Sequence, residues 1–263
     1  MVWGGAVDLA PADDTIINVE HPLSIDAEGQ LLASIMAKKG SVSATHLIID
    51  IPVGKDAKLE SRKDALHLKR QFENIAGELG MKVKVVITDG SQPVGNGIGP
   101  ALEAIDVMKV LKCSSSAPVD LRKKSAMMAG VVLEMTGKAK KGKGEAMALE
   151  IIDSGKALSK FMDILKAQGA RITDENRIKP GKHTFTFRSG KSGKLKHISN
   201  KSVSRIARLA GCPKDKGAGV MLHKKKGDDV KKGENLFTVY ARNSQKLKYV
   251  KEFLKDIDGF VVG

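Results

Sequence analysis

The sequence predicts an α/β protein: a partial parallel sheet flanked by helices, with a remnant of a small helical domain before it and an α+β lobe after it. Two observations carry this fold class. Two short apolar runs rich in β-branched residues, at 46–54 and 83–88, bracket a single long amphipathic segment. That strand–helix–strand order pairs the strands in parallel through a right-handed crossover. Beyond Arg171 the texture changes to short β runs alternating with short helical stretches, as in a separate α+β lobe. The corresponding divisions are 1–43, 44–171 and 172–263.

Taken in order, residues 1–25 are rich in Gly, Asp and Pro and read as loop, with one strand at 15–19. From 26 to 39, Leu31, Leu32, Ile35 and Met36 fall at helical spacing, with Asp26 suited to the N-cap and Gly40 to the end. The run His46-Leu47-Ile48-Ile49-Asp50-Ile51-Pro52-Val53-Gly54 is a buried strand. The segment 59–79 is a helix whose apolar stripe comprises Ala65, Leu66, Phe72, Ile75, Ala76 and Leu79, closed by Gly80. A second buried strand follows at 83–88. Helices are expected at 99–112, 118–136, 144–153 and 155–167, Pro118 and Asp120 suiting the start of the second. The last lobe shows strands at 184–188, 219–222 and 236–240, with helices at 201–209 and 244–256.

Composition narrows the function classes. The chain has 263 residues, 41% of them hydrophobic, enough for real cores. No uninterrupted apolar run approaches the roughly 18–20 residues of a membrane span, and the amino terminus lacks the basic and apolar regions of a secretion signal. Cys113 and Cys212 form no CxxC pair and read as reduced thiols, so a cytoplasmic location is expected. Lys and Arg number 45 against 30 Asp and Glu, a formal charge of +15 that attracts polyanions. Aromatic residues are only 4%, however, and no basic-aromatic alternation for base stacking is present. The clusters at 138–143 and 224–226 therefore read first as solvated loops. A non-catalytic basic module binding RNA or another polyanion stands as the alternative function.

Several patterns bear on chemistry. Gly95-Asn96-Gly97-Ile98-Gly99-Pro100 lies between a strand and a helix, where bare amides and a helix N-terminus bind phosphate. Its third glycine position is Pro100, and six residues separate its first glycine from the strand, so a tight loop with several positive φ values fits better than a dinucleotide fingerprint. Ser34 and Lys38, at i and i+4, share one helix face. They form either a solvated polar stripe or a hydroxyl–ammonium grip on a base carbonyl or phosphate oxygen. In the segment 219–236, Gly227-Asp228 and Gly233-Glu234 mark two turns between short strands, a pattern also used by biotinyl and lipoyl carriers but without their exposed lysine hairpin. The histidines show no metal-ligand spacing, and no nucleophile elbow is present.

Three stretches together resemble the thymidine phosphorylase (pyrimidine nucleoside phosphorylase) superfamily, and within it the archaeal AMP phosphorylase branch. The first runs Trp3-Gly4-Gly5-Ala6-Val7-Asp8-Leu9-Ala10-Pro11-Ala12-Asp13-Asp14, followed by Leu32-Ala33-Ser34-Ile35-Met36-Ala37-Lys38-Lys39. The second is Asp50-Ile51-Pro52-Val53-Gly54. The third is Ile87-Thr88-Asp89-Gly90-Ser91-Gln92-Pro93-Val94-Gly95, running on to Gly99-Pro100-Ala101-Leu102-Glu103. The resemblance is to the carboxy-terminal portion and implies cleavage of an N-glycosidic bond by phosphate, a pentosyl transfer. With AMP it implies adenine and ribose 1,5-bisphosphate as products.

By motif position, Ser34 and Lys38 match the family's base-contacting serine and lysine. The family's base-contacting arginine falls at Val19 here, a departure from an ordinary pyrimidine nucleoside site. Some relatives hold a monovalent cation at positions matching Val94, Gly97 and Asp106; no other cofactor is implied, and phosphate is the co-substrate. The resemblance also implies a homodimer in the full-length protein, with no membrane and no nucleic acid among the partners. Residues 40–45, small and flexible, are the candidate hinge about which the helical and α/β domains of the intact enzyme close on substrate. The family's phosphate loop, of Lys-x-Ser-Gly-Arg-Gly type, lies upstream of Trp3 and has no counterpart in these 263 residues. This chain alone is therefore expected to be a poor catalyst.

Overall fold

A computed structural model describes residues 10–23, 28–171, 174–256 and 259–263. The Trp3-Gly4-Gly5 stretch and Asp26 lie outside them. The architecture is α/β, as the sequence predicts.

The expected loop and strand near the amino terminus are overturned: Pro11–Leu23 is a helix, α1. Pro11 is its first residue, where a missing N–H costs nothing, and Asp13 and Asp14 stand in the first turn against the positive end of the helix dipole. The β-branched Thr15, Ile16, Ile17 and Val19 conceal this helix. Ile16, Ile17 and Val19 remain exposed, so burial imposes no 3.6-residue stripe on the sequence. α2 (Glu28–Gly40) follows, burying Leu32 and Met36.

β1 (His46–Val53) and β2 (Lys82–Asp89) pair in parallel in register from His46↔Lys82 to Val53↔Asp89, with α3 (Arg62–Glu78) between them in sequence. Ser61 caps α3, its hydroxyl accepting from the amides of Lys63 and Asp64. The buried stripe of α3 is Ala65, Leu68, Phe72 and Ala76. Leu66 and Leu79, assigned to that stripe from sequence, are exposed at 43% and 53%. Each helical residue turns about 100°, so once Ala65 and Leu68 face the core, Leu66 points away from it. α2, β1, α3 and β2 enclose one core, centred on Phe72, Ile49 and Met36.

α4 (Pro100–Leu111), α5 (Val119–Met135), α6 (Gly144–Asp153) and α7 (Lys156–Ala167) coincide with the four helices expected there. α5 and α6 touch backbone to backbone. A Cβ on Gly130 would stand 2.3 Å from the Glu145 amide nitrogen, and one on Gly144 would stand 2.1 Å from the Gly130 carbonyl oxygen.

The largest core lies in the last third of the chain, between two antiparallel sheets and helices α8 (Asn200–Ala210) and α9 (Ser244–Phe253). One sheet has the order β3-β6-β8-β4, from Gly97–Ile98, Gly219–Leu222, Asn235–Ala241 and His183–Arg188. The other has the order β7-β5-β9, from Asp229–Val230, Gly193–Ile198 and Phe260–Val262. Phe187 and Phe260 stack on Phe237 with centroids 5.0 and 4.7 Å away. Four strands escape the sequence reading. β3, β7 and β9 have only two or three residues each, and β5 hides its inward Leu195 and Ile198 among lysines and a histidine. β3 also carries the Gly-rich loop of the α/β part into the sheet of the last lobe, pairing Gly97 with Met221.

Candidate functional site

Ser34 and Lys38 project from one face of α2 onto a single group, the carboxylate of Asp13 on α1. The Ser34 hydroxyl donates to Asp13 Oδ2 at 2.9 Å, and Lys38 Nζ lies 2.8 Å from the same oxygen. Gln30 donates to Asp13 Oδ1 at 3.3 Å, and Asp14 stands 3.6 Å from the ammonium. Burial pushes the Asp13 carboxyl up, but the Lys38 ammonium and Ser34 hydroxyl outweigh it and hold it below the usual range. The hydrogen bond to Asp13, with both nearby carboxylates, raises Lys38 in turn. Asp13 is the member the sequence reading missed. Its signal is the acidic pair in the first turn of α1 together with the hydroxyl–ammonium pair two turns along α2. Val19, at the arginine position, lies exposed on α1.

A second polar cluster stands at the carboxyl ends of the two parallel strands, where open α/β sheets place ligands. Asp50 on β1 accepts the Thr88 hydroxyl of β2 at 2.6 Å and pairs with Lys124 of α5 at 2.5 Å. Lys124 also donates to Thr88 at 3.0 Å. Thr88 and Lys124 border a cleft of about 440 Å³ lined also by Asp89, Gln92, Pro93, Val94, Asp120, Lys123, Met127 and Glu145. Its size is that of a small-molecule pocket. The Ser91 amide, donating at 2.8 Å, is the main cause that lowers the Asp89 carboxyl, helped by the Lys226 and Lys124 charges. Asp120, Lys123, Lys124 and Met127 occupy i, i+3, i+4 and i+7 of α5. That spacing puts them on one helix face, a pattern that matches no known motif and so marks no chemistry in the sequence.

Val94, Gly97 and Asp106 come together around a separate hollow of about 240 Å³. The Asp106 side chain is 2% exposed, and its Oδ2 accepts the amides of Asn96 and Gly97, each at 2.7 Å. Gly95 and Gly99 take φ values of 77° and 121°, as the tight-loop reading requires. Gly97 is needed for space, since a Cβ there would lie 2.6 Å from the Leu102 carbonyl.

Comparison with known proteins gives first the class. Residues 194–258 match the pyrimidine nucleoside phosphorylase C-terminal domain. More particularly, the chain as a whole is homologous to the carboxy-terminal half of putative thymidine phosphorylases and AMP phosphorylases. It is 45% identical over 262 residues to the putative thymidine phosphorylase of Legionella pneumophila (strain Paris), covering 100% of this chain and 50% of that protein. The putative thymidine phosphorylase of Albidiferax ferrireducens is 46% identical over 263 residues, covering 100% and 50%. The AMP phosphorylase of Methanococcus aeolicus is 46% identical over 255 residues, covering 97% and 51%. The chain thus spans about half the length of the curated relatives it matches. Among the described residues no helix is long and apolar enough to cross a membrane.

Proposed function

We propose that this chain forms the carboxy-terminal part of a phosphorylase that cleaves the N-glycosidic bond of a nucleoside or nucleotide with phosphate, AMP giving adenine and ribose 1,5-bisphosphate. The observation that carries the reading is the Asp13–Ser34–Lys38 lock. Because its hydrogen is donated to Asp13, the Ser34 oxygen presents lone pairs to an N–H of a base. Lys38 has three N–H bonds and gives one to Asp13 at 2.8 Å, which leaves the others for a ring nitrogen or carbonyl. Its raised pKa keeps it charged. As phosphate oxygen bonds to the anomeric carbon and the glycosidic bond breaks, the electron pair moves onto the base. A fixed ammonium there stabilises the developing charge. Closure of the preceding helical part about residues 40–45 excludes water, and a dimer contact in that part completes the enzyme.

The phosphate loop expected upstream of Trp3 is not among the 263 residues, so the polypeptide alone is a poor catalyst. The test is release of adenine from AMP and of thymine from thymidine, with phosphate. It compares this chain alone with this chain joined to the amino-terminal half of the Legionella pneumophila relative it matches. The extended protein is expected to turn over, and Lys38→Met in it to lower kcat/KM by about 100-fold or more. Adenine release by the chain alone overturns its incompleteness, and full activity of the Lys38→Met protein overturns the site.

A basic module that grips polyanions is favoured by one feature of the last lobe. Lys179, Lys182, Lys214, Lys216 and Arg242 line one open groove with Asp215 as its carboxylate.

A further inference from the structure

Lys225, on the turn between β6 and β7, reaches back across the fold to the Gly-rich loop. Its ammonium donates to the Pro93 carbonyl at 2.8 Å and to the Gly95 carbonyl, and it lies 2.9 Å from Asp120 Oδ2. Three N–H bonds thus meet three oxygens, which exhausts the donor capacity of an ammonium. Two backbone carbonyls and one carboxylate form the all-oxygen donor set that suits a hard cation. The same Asp120 oxygen accepts the Gly95 amide at 3.2 Å, and its other oxygen accepts the Leu121 amide at 2.8 Å. Lys225 therefore ties the loop at 93–95 to the start of α5 and to the β6–β7 turn. The neighbouring amides of Asn96 and Gly97 are held by Asp106, and that of Gly99 by Glu103 at 2.8 Å.

We propose that the Lys225 ammonium is a built-in monovalent cation: it fills, from within the chain, the electrostatic role that a free potassium or sodium ion would play in ordering the 91–99 loop. At the expected site of Val94, Gly97 and Asp106, Asp106 Oδ2 already accepts two backbone amides, so that oxygen's charge is spent on the loop itself. The carbonyls on either side of Val94 are already taken by an ammonium. The loop also supplies Gln92, Pro93 and Val94 to the wall of the larger cleft, so its order shapes that wall. The inference stands on this loop alone and holds whichever base or polyanion the protein binds.

The test is the thermal midpoint of the 263-residue chain, with hydrogen exchange of the 91–99 segment, in potassium, sodium and choline chloride at one ionic strength. The unaltered protein is expected to give the same midpoint in all three. Lys225→Ala leaves an oxygen-lined hole, lowers the midpoint by roughly 5 °C in choline and speeds exchange of the segment, and potassium restores both. Lys225→Met fills the hole with an apolar chain and is expected to fall equally but to gain nothing from potassium. An unaltered protein stabilised by potassium over choline overturns the proposal, since a free site then exists. A Lys225→Ala protein that matches the unaltered one, or that falls without any response to potassium, overturns it as well.

Discussion

Asp13 shows how one carboxylate decides what two neighbouring side chains can do. Its side chain is 8% exposed while that of Lys38 is 30% exposed, so the pair is partly desolvated and lies between two limits. Exposed pairs contribute up to about 1 kcal/mol, whereas loss of a hydrogen-bonded partner from a buried charge costs about 3 kcal/mol or more. Asp13→Asn is therefore expected to lower stability by about 2 kcal/mol, read from urea unfolding at neutral pH. The pH dependence follows from the two directions. A carboxyl held below its ordinary 3.8 stabilises the fold above that pH, and this is lost as pH falls through the lower folded value. An ammonium raised above 10.5 stabilises below that pH, and this is lost as pH rises through the higher folded value. Asp13→Asn should therefore flatten the stability profile at both ends, and a profile that keeps both flanks counts against the lock. The sequence exposed Ser34 and Lys38 through their i, i+4 spacing. Asp13 stands 21 residues from Ser34, so no local period ties it to that pair, and only the acidic pair in the first turn of α1 marks it.

Among the elements, α5 and α6 build one wall of the cleft through contacts too close for any side chain. Gly130 sits within α5, where alanine is favoured by about 1 kcal/mol on helix propensity alone. A Cβ there meets the Glu145 backbone nitrogen at 2.3 Å, and backbone cannot swing aside as a flexible side chain can. Overpacking of this kind costs typically about 1–3 kcal/mol and at times more, so the clash wins over propensity. Gly130→Ala is expected to destabilise by about 2 kcal/mol in chemical denaturation and to shift Glu145 at the cleft edge. An Ala variant as stable as the parent shows that the helices part at no cost. The four helices from 99 to 167 were legible because each has ordinary length, a recognisable start and an apolar face. α1 and β5 were not. The first leaves Ile16, Ile17 and Val19 exposed, so no stripe marks them, and the second alternates lysine and histidine with the few residues it buries. The pairing of β3 with β6 joins segments more than 120 residues apart, which sequence pattern does not encode.

Across the whole molecule, the +15 charge divides into cations that are spent and cations that face solvent. The cluster at 224–226 is spent. Lys224 pairs with Glu234 at 2.8 Å, Lys225 binds the Gly-rich loop, and Lys226 reaches the Ser91 hydroxyl at 3.2 Å. The groove of Lys179, Lys182, Lys214, Lys216 and Arg242 is assembled from three separate segments, which is why no run of basic residues announced it. None of these five takes part in an ion pair among the described residues. Five phosphate contacts on a single strand give a log–log salt slope near −3.5, a loss of about 100-fold in affinity between 50 and 200 mM salt. A mononucleotide held by one or two charges loses only about 3- to 7-fold over the same range. Binding of a labelled single-stranded RNA and of AMP, each titrated against potassium chloride, separates the two functions on one protein. If the groove binds polyanions, Lys179→Gln combined with Lys182→Gln and Lys214→Gln should reduce the RNA slope by about 2 units and leave AMP binding unchanged. An RNA slope that stays the same in the triple variant rejects the groove as the site, and an AMP affinity that falls with it ties the groove to the nucleotide instead.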